Sequence, residues 1–85
     1  MALRFATDVS TARTDYGTVL LDQRSGQYWE LNPTGTLVVQ TLLEGGGEAD
    51  AVDAVVAEFA IDRPQAAHDV AALIGQLRQA GLVAS

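Results

Sequence analysis

The side chains that could do chemistry are few and scattered. His68 is the only histidine, and it precedes Asp69 in a stretch of helical pattern. An imidazole beside a carboxylate could serve as a general base, but a base needs a nucleophile within reach. The serines are Ser10, Ser25 and Ser85, in a strand, a turn and the tail, with no histidine–acid constellation around any of them. Cysteine is absent, which removes thiolate nucleophiles, thiolate zinc sites and disulfides together. Glu44, Glu48, Asp50 and Asp53 surround Gly45-Gly46-Gly47, yet their spacing matches no calcium loop. The triple glycine follows a helical stretch rather than a strand and has no lysine beside it, so it does not read as a phosphate cradle. The expectation is a chain that is not an enzyme, with no catalytic, cofactor-binding or metal site.

What the pattern does offer is a surface. The clearest residues are Tyr28, Trp29, Glu30 and Leu31, a short run of strand character with consecutive aromatics. Alternation puts Tyr28 and Glu30 on one face of that strand, and Gln27, Trp29 and Leu31 on the other. An outer strand leaves a row of unpaired N–H and C=O groups, which proteins usually blunt with lysine, proline or a bulge. Gln27–Leu31 contains no lysine, and no proline occurs before Pro33. Such an edge is suited to accept an extended peptide, with backbone bonds giving affinity and side-chain pockets giving specificity. Leu31 is expected to face the core, whereas Trp29 could face either core or groove.

The elements that must position this run follow from turn chemistry and periodicity. Val9–Thr14 reads as a strand, Asp15-Tyr16-Gly17 as a turn, and Thr18–Asp22 as a second strand. Gln23–Gly26 is a second turn leading into Gln27–Leu31, so the three strands form an antiparallel meander. Leu3–Ala6 reads as an extra extended segment. Asn32-Pro33 marks the switch to helix, because asparagine can accept an orphan backbone N–H and proline has none to waste. That helix carries Leu37, Val38, Val39, Leu42 and Leu43 and ends at the triple glycine.

A second helix is predicted over Glu48–Phe59, with Val52, Val55, Val56 and Phe59 as its apolar stripe. A third is predicted from an Asp62 N-cap, with Gln65 placed to complete a capping box, through Ala66, Val70, Leu73, Ile74 and Leu77 to about Ala80. Gly81 then caps it, and Leu82-Val83 folds back. The fold class is α+β and winged-helix-like, a three-stranded antiparallel β-meander followed by three α-helices, as one domain over residues 1–85.

Composition narrows the partners. The chain has 85 residues and a 48% apolar fraction, enough for a small core without metal or disulfide. Five basic residues, all arginine and spread along the chain, face eleven acids for a net charge of −6. Nucleic-acid binders draw affinity from a basic face that neutralises phosphates, so neither nucleic acid nor an anionic membrane is the expected partner. A basic partner fits better. No secretory signal or membrane span is apparent, and a cytoplasmic location is expected.

Tyr16-Gly17-Thr18-Val19-Leu20-Leu21-Asp22, followed by Ser25-Gly26-Gln27-Tyr28-Trp29-Glu30-Leu31-Asn32-Pro33-Thr34-Gly35, resembles the PqqD-like leader-recognition proteins. These are the recognition elements of ribosomally made, modified peptides, and the likeness is greatest to the discrete B1 proteins of lasso-peptide gene clusters. It continues through Leu42-Leu43-Glu44-Gly45-Gly46 and Asp69-Val70, Leu73, Leu77 and Gly81-Leu82-Val83. The resemblance implies three strands followed by three helices. It also implies that a precursor's leader peptide docks as an added strand on the third strand and packs against the third helix. Carried over by residue, the peptide-binding positions are Tyr28, Trp29, Glu30 and Leu31 on the strand, with Asp69, Val70, Leu73, Ile74 and Leu77 on the helix. The implied partners are a separately encoded cysteine protease (B2-type) that removes the leader and an ATP-dependent lasso cyclase. A PqqD-like chaperone for a different modified peptide or cofactor precursor is the alternative. A winged-helix DNA-binding protein is another, although the third helix offers only Arg63 and Arg78 against Asp69.

Overall fold

A computed structural model describes residues 4–84 of the chain. Leu3, expected at the start of an extended segment, and Ser85 lie outside the described residues. In chain order the elements are β1 (Arg4–Phe5), β2 (Val9–Thr14), β3 (Gly17–Asp22), β4 (Tyr28–Leu31), α1 (Pro33–Leu43), α2 (Glu48–Phe59), α3 (Arg63–Gln79) and β5 (Val83–Ala84). The strands β2, β3 and β4 form the expected antiparallel meander, with β3 in the centre. Thr18 pairs with Leu31, Leu20 with Trp29, and Leu21 with Tyr28. Period-two alternation then separates the faces. Thr18, Leu20 and Leu31 are buried against the helices, while Leu21 and Tyr28 stand on the open face.

Local chemistry fixes where each helix begins and ends. The Asn32 side chain accepts the Gly35 N–H at 2.8 Å, and Pro33 occupies the first turn of α1. At the other end Gly45 takes φ +97°. Its N–H reaches the Leu42 carbonyl, and the Gly46 N–H reaches that of Thr41. This paired closure satisfies carbonyls that the helix leaves orphaned. Gly81 closes α3 in the same manner, its own N–H bonding the Arg78 carbonyl and that of Leu82 the Leu77 carbonyl. The Asp50 carboxylate accepts the Gly47 N–H at 2.8 Å and anchors the start of α2.

The expected capping box at α3 does not form. Asp62 occupies the N-cap position, but its side chain makes no capping bond. Pro64 supplies no N–H, so one of the donors that a cap would satisfy is missing. Gln65 instead donates to the Asp69 carboxylate one turn further along the helix, at 2.9 Å.

A single core joins both layers. Leu20 and Leu31 from the sheet meet Val38 and Leu42 of α1, Val55 of α2, and Val70, Ile74 and Leu77 of α3. The buried Thr18 and Thr36 hydroxyls hydrogen-bond to each other at 2.9 Å and pin β3 to α1. Leu82-Val83 folds back as expected, and Val83 pairs with Phe5 while Ala84 pairs with Arg4. The two terminal segments thus make a second, two-stranded sheet. Among the described residues, no helix is long and apolar enough to cross a membrane.

Candidate functional site

The site begins with the hydrogen-bond polarity of β4. The Asp22 N–H donates to the Gln27 carbonyl at 2.9 Å. In an antiparallel pair, bonded and non-bonded residues alternate along the strand. With the register of β3 and β4, the main chains of Gln27, Trp29 and Leu31 therefore point towards β3. Those of Tyr28 and Glu30 point away from the sheet. Among the described residues, no strand pairs with that side of β4, so these two residues offer two N–H donors and two C=O acceptors along an open edge.

Beside that edge runs α3, separated from it by a groove of about 480 Å³. One wall is Glu30, Leu31 and Asn32; the other is Asp69, Val70, Ala72, Leu73 and Gln76; Thr34, Gly35 and Val38 of α1 contribute the floor. The depth of the floor depends on Gly35. A Cβ at this position would lie 3.4 Å from the Leu31 side chain and 3.5 Å from that of Leu73, filling space between the walls. The cleft continues past Gln76 to a shallower depression lined by Trp29, Gln76, Gln79 and Ala80.

The nine residues singled out from sequence divide into four groups. Glu30, Leu31, Asp69, Val70 and Leu73 line the groove. Trp29 sits 38% exposed at the end of its extension, on the helix-facing side of β4. Tyr28 is 65% exposed on the opposite face, where it borders a depression with Gly26 and Gln27. Ile74 and Leu77 are only 3% and 2% exposed, belong to the core, and do not line the groove.

Helix geometry accounts for the last pair. Successive residues turn by about 100°, so Val70, Ile74 and Leu77 share the face that meets α1 and α2. The neighbouring stripe, Asp69, Ala72, Leu73 and Gln76, borders the groove. Sequence reasoning missed Asn32, Thr34, Gly35, Val38, Ala72 and Gln76. The three-to-four spacing from Asp69 through Gln76 was the available signal for the helix residues, but its small and polar members do not stand out against an apolar stripe.

The electrostatics of the groove have one sign. Asp69 contributes a carboxylate, and among the described residues no arginine or histidine lines the groove. Glu30 stands at its rim, with alternation turning its side chain to the open face shared with Tyr28. Arg63, at the start of α3, is engaged with Asp53 at 2.7 Å. Beyond the groove, the Asp22 carboxylate accepts the Arg24 N–H and the Ser25 hydroxyl, both at 3.1 Å. The backbone bond from Arg24 is the main reason its pKa falls below the ordinary carboxylate value. This contact tightens the turn that delivers the chain into β4.

Residues 17–83 match the sequence profile of a family described as coenzyme PQQ synthesis protein D (PqqD). The chain belongs to the PqqD family. The match runs from the first residue of β3 through the first residue of β5, and so includes both walls of the groove. Among solved structures, this PqqD-family chain is similar to a lasso peptide synthetase B1 complexed with the leader peptide. The two are 42% identical and superpose with a TM-score of 0.91 over 100% of each chain. It is also similar to TbiB1 in complex with the TbiA(beta) leader peptide, at 30% identity and a TM-score of 0.83 over 94% of this chain and 93% of that one. No curated protein matches the sequence.

Proposed function

We propose that this chain captures the leader segment of a lasso-peptide precursor as a fourth strand on β4, seated in the groove against α3, and delivers it to the processing enzymes. The observation that carries this reading is the open edge of β4, which presents the main chains of Tyr28 and Glu30 beside a groove floored by Thr34, Gly35 and Val38. An incoming antiparallel strand would exchange backbone bonds with those two residues. Its side chains opposite Trp29 and Leu31 would turn inward against α3, and those opposite Tyr28 and Glu30 outward. Both similar structures are complexes with leader peptides, which supports the assignment of ligand class.

In this reading, the contact residues are Tyr28, Trp29, Glu30 and Leu31 of β4 with Asp69, Val70 and Leu73 of α3. Ile74 and Leu77 support the helix from beneath. The domain performs no bond-making step of its own. It raises the effective concentration of the tethered core peptide at a separately encoded leader protease of the cysteine class and an ATP-dependent cyclase. Titration of a labelled leader peptide against the protein, followed by fluorescence anisotropy, tests the reading. Saturable binding with one peptide per chain is expected, and absence of binding to lasso-precursor leaders would refute it.

A further inference from the structure

We infer that Gln65 is a positioning residue for the groove, holding the Asp69 carboxylate so that its second oxygen meets a hydrogen-bond-donating side chain of the captured strand. The inference rests on the strand-capture reading above and concerns what that strand must carry. Gln65 itself does not line the groove, whereas Asp69 does. The Gln65 Nε2 donates to Asp69 Oδ1 at 2.9 Å, and the other carboxylate oxygen has no protein partner among the described residues. Gln65 is free for this task because the capping box that its position suggested does not form.

An ionised carboxylate only accepts hydrogen bonds. Among the described residues, the groove supplies it with no arginine or histidine. Thr34 and Gln76 line the groove but make no hydrogen bond to Asp69 among the described residues. Asp69 is exposed, so water serves its second oxygen in the free protein. A captured strand that displaces this water must replace it with a donor of its own, an ammonium, a guanidinium or a hydroxyl. Restricting the carboxylate before the ligand arrives removes part of the ordering cost of binding. An amide donor does this without introducing a charge that would compete for the carboxylate.

The experiment is a double-mutant cycle read by binding. The probe is the fluorescein-labelled leader peptide of the 42%-identical B1 complex, titrated against the wild type, Gln65→Met, Asp69→Ala and the double variant. Methionine keeps the length and helix preference of glutamine but cannot donate. Asp69→Ala should weaken binding about tenfold and Gln65→Met about threefold, as expected for a charged hydrogen bond and for its orienting partner. In the Asp69→Ala background Gln65→Met should change nothing further. A threefold loss that persists there would mean that Gln65 acts on the helix start rather than through Asp69, and would overturn the inference. So would unchanged affinity for Gln65→Met alone.

Alanine scanning of the probe identifies the donor. At one donor-bearing position the substitution should weaken binding to the wild type but not to Asp69→Ala. If no position behaves in this way, the ligand-donor part is overturned. Failure of the wild type to bind the probe at all would instead strike the strand-capture reading.

Discussion

Tyr28 and Leu73 stand on opposite sides of the proposed strand position, and each tests a different contact. Tyr28 would pair across the new strand boundary on the open face, while Leu73 would meet inward-pointing side chains from α3. Truncating either to alanine should weaken leader binding about tenfold, in the range typical of interface anchors. Because neither side chain is fully buried, the circular dichroism spectrum should remain that of the wild type. Unchanged affinity in both variants would remove the groove from the functional account. Asp22 gives a prediction in pH. Its folded-state pKa is depressed by the Arg24 N–H, so its contribution to stability is present in full above the unfolded-state value. That contribution is lost as pH falls through the lower folded-state value. Protonation should therefore loosen the Gln23–Gly26 turn at acidic pH. NMR titration of the Asp22 carboxyl should show a midpoint below that of an unstructured peptide, and Ser25→Ala should raise it.

Among the elements, the contact between β3 and α1 has the most to lose from a small change. Thr36→Val removes one partner of a buried hydroxyl pair and leaves Thr18 unsatisfied, at a cost of about 1–3 kcal/mol. Adding Thr18→Val should restore part of the loss, and chemical denaturation of the three variants checks the sign. Gly17 is less forgiving. At φ +148° a Cβ would lie on the Leu31 carbonyl oxygen, so Gly17→Ala must displace the end of β4 and should reduce leader binding and thermal stability together.

The meander and the three helices were legible in sequence because their boundaries are written in local chemistry: Asp15-Tyr16-Gly17, Ser25-Gly26, Asn32-Pro33, and the closing glycines Gly45 and Gly81. The pairing of β1 with β5 was not legible, since two-residue strands brought together from the chain ends leave no periodicity. The false capping box had the right spacing, but Pro64 and the nearby Asp69 redirected Gln65. At the site, the strand run could be read from its aromatics, whereas the far wall could not be separated from the core. Leu73, Ile74 and Leu77 are equally apolar letters, and only the rotation of α3 against α1 and α2 decides which of them meets the groove.

At the scale of the molecule, charge shapes encounter. A chain of net charge −6 should attract a leader of net positive charge, and the attraction should be screened once the Debye length falls below about 10 Å, near 0.1 M salt. Association rate constants measured from low to high salt should fall for a basic leader and stay level for its charge-neutral variant. Level rates for both would confine the acidity to a role in solubility. The clasp between β1 and β5 has a mechanical consequence. It sets Arg4 beside Ala84 and Phe5 beside Val83, so the chain enters and leaves side by side. A pull applied through both ends meets that pair in an unzipping geometry, one rung at a time, before any load reaches the β2–β3–β4 sheet. Strain from whatever is tethered to the ends is thereby spent at a seam remote in sequence from β4, and the strand that would hold the ligand stays slack.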